Sequence, residues 1–142
     1  MILLDTNVIS ELRKVGDGKA DADIVAWVSS LDAGTLFLSV ISLMEIELGI
    51  LRIERRDPLQ GARLRAWMDL QVLPEFAERT LAIDAAVALR CARLHTPDPR
   101  PERDALIAAT ALTHGMTLAT RNVRDFAGLG VRVINPWDAG PE

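Results

Sequence analysis

With 142 residues, 49% of them hydrophobic and 25% charged, the chain has enough apolar side chain for one ordinary core. A net charge of −4 argues against a general nucleic-acid coat, though not against an enzyme that meets phosphates through a metal ion. No run approaches the ~20 apolar residues of a membrane span, and the N-terminus lacks the pattern of a signal peptide. The lone cysteine, Cys91, points to a reducing cytoplasm.

In chain order, Ile2 to Leu4 reads as a first strand, followed by a helix from about Val8 to Lys14. Ile24, Val25, Trp27, Val28 and Leu31 recur at helical spacing and predict a second helix. Leu36 to Val40 reads as a second strand, and Ser42 as the cap of a helix through Arg52, with Glu45 three residues on. Asp57-Pro58 opens a helix reaching about Leu70, by the cap-then-proline rule. Leu81 to Ile83 is a third short strand, and Asp84 caps the helix after it. Glu102 to His114 is a helix closed by Gly115. Met116 to Ala119 and Val131 to Ile134 are a fourth and a fifth strand. Gly16-Asp17-Gly18 and the proline-rich segment Thr96 to Pro101 read as loops within a single domain spanning 1–142.

Short strands alternating with helices predict a mainly parallel sheet covered on both faces. In such sheets the ligand crevice lies beyond the carboxyl ends of the strands. Asp5 follows the first strand, and Asn122 and Asp125 follow the fourth. Glu45 and Asp104 are expected in first turns of helices that start at that same edge. Each acid alone is explained as a cap or as a response to the helix dipole. Together they would repel one another unless a cation were present, and hard oxygen ligands suit Mg²⁺ or Mn²⁺. The set therefore reads as a metal site. Arg13, Lys14, Arg52, Arg55, Arg56, Arg121 and Arg124 are candidate phosphate contacts, with Arg121 and Arg124 flanking the acids.

Other groups are set aside. Asp84 is explained as a cap, and Glu47 lies about 200° around the helix from Glu45. Cys91, among Val87, Leu89 and Leu94, reads as a core thiol. His95 and His114 have no cysteine or second histidine at ligand spacing, so neither zinc nor a histidine triad is expected. Leu43, Ile46, Ile50 and Ile53 share one helix face, which serves either the core or a partner. Phosphoryl-transfer folds also gather carboxylates around Mg²⁺, but they need a late lysine, and the only lysines are Lys14 and Lys19.

The segments "LLDTNVISEL", "SVISLMEIELGI", "RDALIAATAL", "LATRNVRDF" and "INPW" resemble, in order, the PIN-domain toxins of bacterial toxin–antitoxin pairs. The likeness is to the VapC type, and especially to its Fit-like branch. It implies a three-layer α/β/α sandwich with a parallel sheet of about five short strands. It also implies Mg²⁺- or Mn²⁺-dependent endoribonuclease activity, toxin homodimers, and a DNA-binding antitoxin of the VapB or FitA kind, in higher hetero-oligomers. By position, Asp5, Glu45 and Asp104 match the family's acids, and Thr6 and Thr120 its small polar residues. Asn7, Arg121 and Asn122 complete the set expected to position substrate or water. The chain departs at the fourth acid, where many relatives carry a carboxylate and this sequence has Asn122, so Asp125 is expected to supply the charge. A rival role is a catalytically weak subunit that acts by binding an antitoxin in a DNA-bound autorepression complex. The acidic balance would leave DNA contact to the partner.

Overall fold

The computed structural model describes residues 1–138, so residues 139–142 of the expected domain lie outside the described residues. The elements, in order, are β1 (Ile2–Leu4), α1 (Thr6–Arg13), α2 (Ala22–Ser29), β2 (Leu36–Ser39), α3 (Val40–Arg56) and α4 (Pro58–Trp67). After a π-type turn at Met68–Val72 come α5 (Leu73–Glu75), β3 (Thr80–Leu81), α6 (Ala85–Leu94), α7 (Glu102–His114), β4 (Thr117–Ala119) and β5 (Val133–Ile134). The five strands form one parallel sheet in the order β3-β2-β1-β4-β5. The chain builds outward from β1 to one side and then returns to the other, so the order switches between β1 and β4. A crevice is expected at that switch, beyond the strand ends.

Side-chain alternation along β1 divides the core between two faces of the sheet. Leu4 packs with Val8, Leu38, Ile46, Ile50 and Met68, the side covered by α1 to α4. Leu3 packs with Ile107, Ala108, Leu118 and Phe126, the side covered by α7. Val87 and Cys91 seat α6 on α7 through Ala105 and Ala109. These layers are the expected α/β/α sandwich. No helix among the described residues is long and apolar enough to cross a membrane.

Several caps fall where the sequence places them. Asp84 Oδ1 accepts from Val87 N at 3.0 Å, Asp57 caps Pro58–Trp67, and Gly115 closes α7 at φ +66°. Gly61 permits the close crossing of α3 and α4, since a Cβ there would lie 2.6 Å from the Glu54 Cα. Arg65 then ties the pair together through Glu47 at 2.6 Å and Glu54 at 3.1 Å. Glu47 thus faces away from the acid edge, as its spacing predicts.

Other expectations need correction. The helix expected from Ser42 starts at Val40, because Ser39 Oγ, not Ser42, accepts from Ile41 N at 3.0 Å. Glu45 is therefore past the first turn and completes no capping box. The helix after Asp57 leaves α geometry at Met68, and β3 ends at Leu81 rather than Ile83. On the α3 face, Ile46 and Ile50 are buried in the molecule's own core and Leu43 and Ile53 are partly buried against it, while Ile46, Ile50 and Ile53 also border a surface depression.

Candidate active site: four carboxylates at the sheet's switch point

The parallel register pairs Leu4 with Ala119, so the next residues, Asp5 and Thr120, emerge side by side from β1 and β4. Asp5 N donates to Ala119 O at 2.9 Å and holds the two strand ends together. The Asp5 carboxylate is 6% exposed and fully engaged. Its Oδ1 accepts from Thr6 N at 2.8 Å, and its Oδ2 from Thr120 Oγ1 at 2.7 Å and Asn7 Nδ2 at 3.3 Å. The capping reading of Asp5 thus holds geometrically, but the cap is one of three contacts.

Thr6 links this edge to α3. Its hydroxyl donates to Glu45 Oε1 at 2.7 Å and lies 3.1 Å from the buried Ser42 Oγ. Glu45 Oε2 faces Arg103 at 3.7 Å. Asn7 Oδ1 accepts from Arg121 N at 3.2 Å, and Thr120 Oγ1 accepts from Asn122 N at 3.0 Å, so the segment after β4 is folded back on the start of α1. A 3-10 turn at Val123–Phe126 then carries Asp125, with Asn122 as its cap residue. Arg100 grips this turn by donating to the carbonyls of Asp125 at 3.3 Å and Ala127 at 2.9 Å. Asp104 sits in the first turn of α7, half-buried.

These carboxylates act on one another. Asp5 is held above the usual carboxylate range, first by burial, against its hydrogen bonds from Thr120 and Thr6, and then by the charges of Glu45 and Asp125. Asp104 is raised by burial and by Asp125, Asp5 and Glu45, with Arg100 opposing. The charges of Glu45 and Asp125 thus reach both Asp5 and Asp104, and that of Asp5 reaches Asp104.

The donor set fits a hard divalent cation: all oxygen, with negative charge in excess and two carboxyl groups pushed toward protonation without it. No three of the four carboxylates bring ligand oxygens within 4.8 Å of one another. The four carboxylates therefore form no closed ligand cage, and a cation held there would take further ligands from water. Among the described residues, three ligand-type groups come that close at Cys91, His95 and Glu102. This corrects the expectation that no cysteine lies at ligand spacing from His95, since Cys91 Sγ is 3.8 Å from His95 Nε2. The cluster is still poorly suited to a metal. Arg100 N donates to His95 Nδ1 at 3.0 Å, which places the ring proton on Nε2, the atom that faces Cys91 and Glu102. Burial also pushes the Cys91 thiol up, away from the thiolate a metal would need.

Of the candidate phosphate contacts, the Arg121 guanidinium lies over the Trp137 ring, 5.1 Å from its centroid. Arg124 shares the 3-10 turn with Asp125. Arg13 and Lys14 line a depression with Thr6 and Glu45. Arg52, Arg55 and Arg56 are exposed toward the far end of α3, away from the acids. Ser42, read from the sequence as a cap, and Arg100 and Arg103, which carry no sequence mark, join the site in the structure. Only the long-range packing of α3 and α7 against the strand ends brings them in.

The PIN domain profile matches residues 2–130, and the chain belongs to that family. It is 36% identical to the toxin FitB of Neisseria gonorrhoeae, over 96% of this chain and 99% of that one. It is 35% identical to a VapC ribonuclease of Sinorhizobium fredii, over 97% and 99% of the two chains. The structure of FitAB bound to a DNA fragment superposes with a TM-score of 0.84 at 35% identity, covering 100% of this chain and 99% of that one.

Proposed function

We propose that this chain is a Mg²⁺- or Mn²⁺-dependent endoribonuclease, the toxin of a toxin–antitoxin pair, acting in the cytoplasm as a single nuclease domain. The observation that carries the reading is the gathering of acids at the β1–β4 switch point: Asp5 emerges beside Thr120 and accepts from it, Thr6 ties Glu45 to the same edge, and Asp104 starts α7. A relative named a VapC ribonuclease and one named a toxin, each matched along nearly the whole chain, support it. The FitAB complex on DNA supports a DNA-binding antitoxin as partner, and we take the toxin itself to pair as a homodimer.

Asp5 and Asp104 would hold the cation, and Glu45 and Asp125 would bind it through water or orient the attacking water. When bound, the ion lowers the pKa of water and neutralises charge on the phosphoryl oxygens. Thr120 and Asn7 fix the Asp5 carboxylate, and Thr6 fixes Glu45. Asn122 would orient a water or a phosphate oxygen. Arg121, stacked on Trp137, would meet a phosphate. Asp104→Asn keeps the side chain's shape and removes its charge. It should lower metal-dependent RNA cleavage more than ~100-fold, beyond the usual loss for a residue one layer out from a metal, while circular dichroism stays native. Cleavage at the wild-type rate would overturn the assignment.

A further inference from the structure

We propose that a cationic groove leading away from the acid edge is the track for the backbone of a single-stranded RNA substrate. The proposal rests on the nuclease reading and extends it to residues outside the site. A depression of about 270 Å³ is bordered by Thr6 and Glu45, by Arg13 and Lys14, and by an apolar wall of Ile46, Ile50, Ile53 and Leu64. Arg13, Lys14 and Gln60 also line a second one of about 550 Å³, so the two join along a shared wall. In that second depression Arg13, Lys14, Lys19 and Arg63 face a single carboxylate, Asp17. This is a local excess of positive charge on a chain whose net charge is −4. Arg13 is paired with Asp17 at 3.8 Å and Lys14 with Glu11 at 3.1 Å. Lys19 and Arg63 are exposed and make no ion pair among the described residues.

The groove follows one face of α1. Thr6, Ser10, Arg13 and Lys14 recur at helical spacing, and at 1.5 Å per residue Arg13 lies about 10 Å beyond Thr6 along the axis. A polymer cut beside Thr6 and Glu45 must leave the site along the surface, and this wall offers its phosphates successive cations. The half-buried Trp67 lines the same depression. A cationic groove with an aromatic face is what a single strand uses, since phosphates meet the charges and bases stack on the ring. An acidic peptide would meet the same cations, and its binding is the competing outcome.

The test combines Lys19→Glu with Arg63→Glu, both in exposed residues outside the catalytic set. Binding of a short fluorescent single-stranded RNA is followed over a salt series in the Asp104→Asn background, so that no cleavage intervenes. Losing two cationic contacts should flatten the salt dependence by about 1.4 in log–log slope and weaken low-salt affinity roughly tenfold or more. In the catalytically intact chain, KM for a long RNA should rise by the same factor while kcat and cleavage of a dinucleotide stay unchanged. Unchanged RNA affinity and slope would overturn the track. So would an acidic peptide that loses affinity while RNA does not, which would make the groove a protein-docking surface. RNA binding that depends on these cations in a wild-type chain that cleaves nothing would support the track and overturn the nuclease reading, so the two fail separately.

Discussion

Asp5 and Glu11 are buried carboxylates at opposite ends of α1, and their surroundings drive them in opposite directions. Helix electrostatics alone predicts the reverse of what is found, because an acid is favoured at the N-terminus and disfavoured in the last turn. Glu11 is 8% exposed in that last turn, yet it is held below the usual carboxylate range. The backbone N–H of Asp21 at 2.9 Å is the main cause, with Lys14 at 3.1 Å adding to it. Asp5 has the favoured end and three hydrogen-bond donors, yet it is raised by burial and by Glu45 and Asp125. Hydrogen bonding holds a carboxylate in place at either end. Burial outweighs the hydrogen bonds at Asp5 and is outweighed by them at Glu11; the carboxylates near Asp5 push with burial, while Lys14 pushes against it at Glu11.

The comparison breaks first at Glu11. Glu11→Ala strands the Asp21 N–H and the Lys14 ammonium, and should cost about 1–3 kcal/mol in denaturant unfolding. Glu11→Gln keeps an acceptor and should recover a large part of that. Since the folded carboxyl lies below its unfolded value, its contribution is present above the usual 4.5 and is lost as pH falls through the folded value. A Glu11→Ala chain as stable as wild type at pH 7 would mean that burial outweighs the partners at this end too.

At the other end the comparison sharpens around the fourth acid. Asn122 caps the 3-10 turn that carries Asp125, three residues on. Asp125 is charge-coupled to both Asp5 and Asp104, while Asn122 brings no charge. Asp125→Asn should raise the Mn²⁺ concentration for half-maximal cleavage about tenfold, and Asn122→Ala much less. The reverse order in a metal titration would make Asn122 the ligand and Asp125 a turn residue.

How much of this was legible in the sequence depended on how local each feature is. β1, α7 with its glycine stop, and the caps at Asp57 and Asp84 are set by neighbours within a turn, and spacing predicts them. The parallel sheet follows from short strands alternating with helices, and Asp5 and Asp125 from their places just after β1 and β4. The start of α3 was misread because Ser42-x-x-Glu45 looks like a capping box. Ser42 is instead buried against Thr6, 36 residues away in sequence, while Ser39 performs the cap. The apolar face of α3 could not be assigned from periodicity, since a core face and a partner face repeat alike; packing buries Ile46 and Ile50 in the core and leaves Ile53 at the wall of a surface depression. Glu11 carries no local mark of its role either, because its main partner, the Asp21 N–H, belongs to the start of the next helix.

Asp104 offers the smallest and most direct measurement of what the acid edge costs without a cation. Its pKa is raised above the usual 3.8 by burial and three carboxylates, with Arg100 the one opposing charge. A carboxyl raised in the folded state binds its proton more tightly there than in the unfolded chain. Its share of stability is therefore lost as pH rises from 3.8 through the folded value, and the penalty persists at neutral pH. Asp104→Asn removes that penalty and should raise the metal-free melting temperature at pH 7 by a degree or so, with a flatter profile over that acidic window. Added Mn²⁺ should stabilise wild type by mass action and the variant less, so the order of melting temperatures narrows or reverses as the ion is titrated in. Equal melting temperatures at every pH and metal concentration would show that the four carboxylates are solvated well enough to ignore one another. The contrast between the two ends of α1 would then rest on Glu11 alone.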